Sequence, residues 1–137
     1  MRYDTALSDR AREVAILVVS VHWDSDFEWY AHEAVGRHAG LTADELRALR
    51  DCDYSRFPVG EAAVALTDDA LVTHGDLSDA AYDQAVAAIG RAGVFELSTL
   101  VGYYATLALQ LRVFRVPLPS PTPAKSPFHR DETGDLP

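Results

Sequence analysis

Glu28 and His32 lie four residues apart in the stretch FEWYAHEAVGRHAGLT, residues 27–42, which has the pattern of a single helix. Side chains four residues apart are neighbours on a helix surface. When a carboxylate lies half-buried beside an imidazole, the environment can move the pKa values of both groups towards neutrality, as general acid–base catalysis requires. The pair is therefore a candidate catalytic acid and base.

The same two residues also have structural interpretations. Ser25 to Glu28 fits the S-x-x-E capping box, in which the Glu28 carboxylate accepts a hydrogen bond from the Ser25 backbone N–H. His32 could be a hydrogen-bonded core histidine, and spacing alone favours capping and packing over catalysis. No metal site is predicted, because one histidine and one glutamate leave a metal short of ligands unless His22 or His74 converges on them.

The elements that must position this pair are predicted to be helices, because apolar residues recur at helical spacing and no stretch alternates as a strand would. The capping residues Ser8, Ser25, Thr42 with Glu45, and Ser78 mark helix starts. Gly40 and Gly75 mark helix ends. Six helices are predicted, at about 8–23, 25–38, 42–50, 61–74, 78–89 and 94–115.

Two helix surfaces of the prediction bear on the site. The first helix is apolar all round, so it needs neighbours on every side. The second helix is assigned a core face with Glu28 and His32 at its edge, formed by Phe27, Ala31, Ala34, Val35 and His38. Trp29 and Gly36 form a separate stripe, which predicts a subunit contact because the indole would otherwise lie in water.

A polar stripe runs along the last predicted helix. It consists of Glu96, Thr99, Tyr103, Thr106 and Gln110. The stripe either lines a pocket, with Tyr103 donating a hydrogen bond, or faces solvent as the polar side of an amphipathic helix. A carboxylate substrate would also need an arginine or backbone N–H groups, and the sequence places none of the arginines.

Composition limits the classes of function. The chain has 137 residues, 48% of them hydrophobic, which suits one domain with a substantial core. Its net charge of -9, with basic residues scattered singly, predicts neither a nucleic-acid nor a membrane partner. The single Cys52 excludes an intrachain disulfide, and a cytoplasmic location is the simplest expectation. The N-terminus lacks the pattern of a secretory signal, and the apolar run 14–21 is too short to span a bilayer.

The C-terminal residues change in composition. Six of the seven prolines fall in residues 117–137, and proline supports neither a helix interior nor a sheet ladder. The sequence predicts a helical domain over 1–116 and a disordered tail over 117–137. A proline-rich ligand for an aromatic groove is the alternative interpretation of the tail.

Two segments, REVAILVVSVHWDSDFEWYAHEAVGRHAGLTADELRAL and LSDAAYDQAVAAIGRAGVFELSTLVGYYATLALQLRVFRVPLP, resemble the carboxymuconolactone decarboxylase family, which is related to alkylhydroperoxidase D-like proteins. In the peroxidase branch of that family a relay glutamate precedes a C-x-x-C pair and a histidine. By this resemblance Glu13 is the relay, Ser25 and Glu28 occupy the cysteine positions, and His32 is the histidine. Thiol hydroperoxidase activity is not expected, because Cys52 is alone and lies away from the motif.

The resemblance implies an all-α, six-helix fold that assembles as trimers or hexamers through the second and last helices. It also implies cofactor-free, metal-free decarboxylation of a carboxylated unsaturated lactone. His32 would be the proton donor or shuttle, Glu28 its carboxylate partner and Glu13 a relay. Trp29, Tyr103 and His22 are the expected substrate-binding residues.

Two alternatives remain at this point. A carboxylate within an apolar helix is costly unless it is paired or lies at a polar pocket, which supports a role for Glu13 in the site. Glu13 could equally be an acid of the first turn, favoured by the helix dipole. For the whole chain, the alternative to an enzyme is a non-catalytic, oligomeric member of the family that binds a small molecule.

Overall fold

The computed structural model describes residues 6–119, and the regular structure in that range is entirely helical. The helices are α1 (Asp9–His22), α2 (Asp26–His38), α3 (Ala43–Arg50), α4 (Val59–His74) and α5 (Asp79–Val113), with a short 3-10 helix, Tyr54–Arg56, between α3 and α4. The predicted all-α fold is confirmed. Residues 120–137, which contain most of the predicted tail, and residues 1–5 lie outside the described residues.

The predicted capping residues set the helix ends. Ser8 accepts a hydrogen bond from the backbone of the first turn of α1, and Ser78 does the same for α5. Thr42 and Glu45 form both hydrogen bonds of the capping box that starts α3. Gly75 ends α4 in the left-handed conformation, with φ of 68°, which glycine adopts at little cost. Local side-chain chemistry therefore accounts for most of the helix boundaries.

The last two predicted helices are joined more closely than expected. Instead of a loop between Ile89 and Val94, α5 continues through this region and is broken at the single residue Gly90, whose φ and ψ are 73° and 170°. That combination is essentially restricted to glycine. Gly90 therefore acts as a kink that redirects the helix within one residue.

Helix α1 is the centre of the fold, as its all-round apolar surface predicts. Residues 13–20 are all buried, and α1 packs against α2, α3, α4 and α5. One hydrophobic cluster joins Leu17 of α1 to Trp29 of α2 and Leu49 of α3. A second cluster joins Ile16 to Leu100 of α5. Any polar group on α1 is consequently enclosed by neighbouring helices.

The predicted orientation of α2 is wrong. The five residues assigned to its core face are exposed or half-exposed, whereas Glu28, Trp29 and Gly36 are buried. Helix α2 packs closely on its neighbours at Gly36, where an added Cβ would lie 2.9 Å from Leu41 Cδ1. The predicted subunit contact through Trp29 and Gly36 is wrong for the same reason, since the chain's own core covers both residues. Both sides of α2 are apolar, so hydrophobicity alone did not identify the inner one.

One buried-edge ion cluster, which we call the Arg10 clamp, ties three elements together. The Arg10 guanidinium donates to Glu61 at 2.7 and 3.0 Å and to Glu45 at 2.6 Å. Its remaining terminal nitrogen donates to the Gly40 carbonyl at 2.5 Å. The clamp therefore joins α1 to α3, to α4 and to the turn that follows α2.

Much of the apolar surface of α5 is uncovered in a single chain. Phe95 is 75% exposed and Leu109 is 50% exposed. Within the described residues, α5 alone has the length and hydropathy to cross a membrane, and only 22% of the relevant window is buried. That finding is weak evidence for a membrane, because length and composition alone do not distinguish a membrane span from a helix covered by protein.

Candidate active site

Glu13 of α1 and His32 of α2 meet where the two helices pack. His32 Nδ1 lies 2.8 Å from Glu13 Oε2. Glu13 is 7% exposed, and the His32 side chain is 19% exposed. An ionised Glu13 only accepts hydrogen bonds, so it places the imidazole proton on Nδ1 and leaves Nε2 to exchange a proton with a substrate.

Glu28 is buried beside this pair without a hydrogen bond. It is 3% exposed, and neither carboxylate oxygen has a hydrogen-bond partner among the described residues. Burial raises the pKa of Glu28 from its usual 4.5 to about 7, and the nearby charge of His32 only partly opposes this shift. Glu28 can therefore both hold and release a proton near neutral pH.

The structure changes the partner assigned to His32. The sequence paired this histidine with Glu28, but the hydrogen bond goes to Glu13. The capping-box interpretation of Glu28 is also wrong. Ser25 Oγ does accept a long hydrogen bond from the Glu28 N–H, at 3.5 Å, but the Ser25 N–H donates to the Ser20 carbonyl at 2.8 Å. The Glu28 carboxyl group is thus free of the cap and available at the site.

Tyr104 of α5 completes the site and was not predicted. Its ring packs edge to face against His32, with the centroids 5.2 Å apart. Burial raises the pKa of Tyr104, and the charges of Glu13 and Glu28 add to this effect. The prediction instead named Tyr103, which is 56% exposed and packs on Tyr104 at 5.0 Å. The polar stripe pointed to the tyrosine on the outer side of α5, and no local signal indicated its neighbour.

The remainder of the polar stripe faces outward, as the solvent alternative expected. Thr99, Thr106 and Gln110 are exposed. Glu96 is half-buried and accepts hydrogen bonds from the backbone N–H groups of Ala6 and Leu7, at 2.7 and 3.3 Å. It therefore anchors the segment before α1 rather than lining a pocket with the other stripe residues.

The two other predicted substrate-binding residues lie elsewhere. His22 is exposed at the end of α1, where its ring contacts Trp23. It is nine residues beyond Glu13, which is about 13 Å along the helix axis. Trp29 lies in the core, with the Arg50 guanidinium 4.3 Å from its ring centroid. Neither residue is brought into the Glu13 and His32 pair.

Two cavities flank the turn between α1 and α2. One, of about 280 Å³, lies between this turn and the end of α5 and includes Arg112 in its wall. The other, of about 170 Å³, includes Trp29 and Arg50. Ser25, one helical turn before Glu28, lines both cavities. Two arginines that the sequence could not place therefore lie at cavities near the start of α2.

A second buried carboxyl group lies outside this site. Asp68 of α4 is fully buried, and neither oxygen has a hydrogen-bond partner among the described residues. Burial, with the neighbouring charge of Asp69, raises its pKa well above the usual value. Within residues 6–119, no group of three or more His, Cys, Asp or Glu side chains is arranged to hold a metal ion. The metal-free, cofactor-free site stays a prediction.

Comparison with known proteins identifies the family. The model of the carboxymuconolactone decarboxylase family matches residues 1–69, half of the chain. The matched region contains Glu13, Glu28 and His32 but not Tyr104. Neither the curated proteins nor the solved structures give a significant match. The chain therefore belongs to the carboxymuconolactone decarboxylase family.

Proposed function

We propose that this member of the carboxymuconolactone decarboxylase family is a cofactor-free acid–base enzyme that acts on a small carbonyl or lactone carboxylic acid. The observation that carries the proposal is the arrangement of three side chains: His32 is hydrogen-bonded to Glu13, and Glu28 is buried beside it without a partner. A buried carboxyl group without a hydrogen bond costs stability. Retaining one next to an oriented histidine supports a catalytic use.

The proposed reaction is decarboxylation. The bond between the substrate carbon and its carboxylate breaks, carbon dioxide leaves, and the electron pair passes into an enolate conjugated with the carbonyl group. Glu28, protonated near neutrality, donates a proton to the carbon, either directly or through His32. Glu13 keeps the imidazole oriented and stabilises its cationic form during the transfer. A proton from solvent then restores the donor, so the site returns to its starting state.

The predicted trimer or hexamer is part of this proposal. Apolar side chains lie exposed on α2, including Val35 at 47% and Tyr30 at 52%, and on α5, including Phe95 at 75%. Large exposed apolar patches typically mark interaction sites. Assembly through α2 and α5 would cover this surface and enclose the region of Tyr104 and His32, which would exclude water from the reaction.

The test measures release of carbon dioxide from carboxylated unsaturated lactones. His32→Gln and Glu28→Gln should each lower turnover by about 100-fold or more, because each removes a proton-transfer group. The double variant should cost little beyond the worse single variant, since residues that act as a unit are non-additive. Glu33→Gln, which removes the partner of an exposed ion pair with Arg37, is the matched control and should retain activity.

Light scattering on each variant provides the control for assembly. We expect the mass of a trimer or hexamer for the wild type and for every variant, and a monomeric wild type would contradict the assembly. A wild type that binds such lactones without releasing carbon dioxide would favour the non-catalytic alternative. Full turnover in His32→Gln and Glu28→Gln would overturn the assigned roles.

A further inference from the structure

The contact between Tyr104 and His32 places a residue of α5 in a site otherwise built from α1 and α2. The Tyr104 ring packs on the hydrophobic cluster that includes Ile16 and Leu100. Its other contacts are with His32 at 5.2 Å and Tyr103 at 5.0 Å between centroids. Tyr104 therefore connects the core directly to the imidazole.

A single hydrogen bond does not fix an imidazole ring. Glu13 holds Nδ1 of His32, but the ring can still turn about its bond to Cβ, and terminal torsions of this kind are broad. The Tyr104 ring lies at 89° to the imidazole, so a rotation of His32 would disrupt this contact. Edge-to-face pairs contribute roughly 0.5 to 1.5 kcal/mol beyond the area they bury.

The phenol is also suited electrostatically to this position. Burial raises its pKa, as do the neighbouring carboxylates of Glu13 and Glu28. Tyr104 consequently stays neutral and adds no third negative charge beside the two carboxylates. It can brace the histidine without competing with Glu13 for the Nδ1 proton.

We propose that Tyr104 is a positioning residue whose aromatic ring, held by the core, keeps Nδ1 of His32 on Glu13 and so keeps Nε2 available for proton transfer. The role belongs to the ring and not to the hydroxyl group. This inference rests on the proposed function for its use in catalysis. The positioning itself can be tested without a substrate.

The test follows the Nδ1–H proton of His32 by NMR, through its hydrogen exchange and the imidazole ¹⁵N shifts. Tyr104→Leu should speed exchange about 3- to 10-fold, which is the energy of the lost ring contact expressed as a ratio. It should also shift the ¹⁵N signals from one tautomer towards a mixture. Tyr104→Phe keeps the ring and should match the wild type. Tyr103→Leu is the matched control on the exposed neighbour and should also leave His32 unchanged.

Each outcome decides the matter. If Tyr104→Leu does not fold, as judged by helical circular dichroism, Tyr104→Met keeps the volume while removing the ring, and should give the same exchange and shift changes. Unchanged exchange in a folded Leu or Met variant would overturn the positioning role. A Phe variant as perturbed as the Leu variant would assign the effect to the hydroxyl group instead. An inactive wild type with these NMR results would contradict the proposed function but not the positioning.

Discussion

Glu45 in the Arg10 clamp and Glu28 in the candidate site are both glutamates held between packed helices, yet their surroundings differ. Burial opposes ionisation of Glu45, but hydrogen bonds from Arg10 and from the Thr42 backbone outweigh it and lower its pKa. Glu28 has no hydrogen-bond partner among the described residues. Burial therefore dominates and raises its pKa to about 7.

The difference shows how one residue type serves either structure or chemistry. In the clamp, Arg10 supplies five donors in a fixed fork, and two carboxylates and a carbonyl occupy that fork. The charge is matched, so these carboxylates stay ionised and link helices. At Glu28 burial is nearly complete but the charge is unmatched, so the proton is retained until near neutral pH. An unmatched acid costs stability and gains a usable proton.

The largest expected effect in this comparison is on the pH dependence of stability. In the unfolded chain Glu28 loses its proton near 4.5, whereas in the folded chain it holds the proton to about 7. Between these values the folded state binds more protons, so stability falls as pH rises. From about pH 5 to about pH 8 this group should reduce the free energy of unfolding by roughly 2 to 3 kcal/mol.

Chemical denaturation of the wild type and Glu28→Gln at both pH values measures this contribution. The variant should lose roughly 2 to 3 kcal/mol less than the wild type over that range. Glu45→Gln is the matched comparison and should show the opposite sign. Its lowered folded pKa means that ionised Glu45 stabilises the fold, an effect that is lost as pH falls through that pKa. Identical pH profiles for wild type and Glu28→Gln would contradict the assignment.

A smaller effect is expected from opening the clamp. Arg10→Met keeps most of the aliphatic stem but leaves Glu45 and Glu61 without their cation, and should lower the free energy of unfolding by about 2 kcal/mol. Arg47→Met is the control, because Arg47 is 71% exposed and bridges an exposed Asp44. Such a surface pair contributes less than about 0.5 kcal/mol. Equal losses in both variants would show that the clamp is an ordinary surface ion pair.

Helix existence and helix ends were predictable because their signals are local. Ser8, Thr42 with Glu45, and Gly75 act on backbone groups within a few residues of themselves. The Gly90 kink was less predictable. A glycine between two helical segments signals a break, but not that the helix resumes directly afterwards.

The site was predictable in its membership on α1 and α2, through the resemblance, but not in its pairing. The inner side of α2 depends on which of two apolar surfaces meets α1, and helical spacing cannot decide that. Once Glu28 and His32 turn inward, the histidine reaches Glu13 across the helix interface. Tyr104 enters from seventy-two residues further along the chain, and nothing near it in the sequence refers to His32.

The central claim is that Glu28 is a buried acid that titrates near neutrality. The direct measurement is an NMR titration of the Glu side-chain carboxyl ¹³C signals, with Glu28→Gln used to identify the Glu28 resonance. The account predicts a midpoint for Glu28 near 7, well separated from the usual value of 4.5. A midpoint near 4.5 would show that Glu28 is solvated or paired, and would contradict its role as the proton donor.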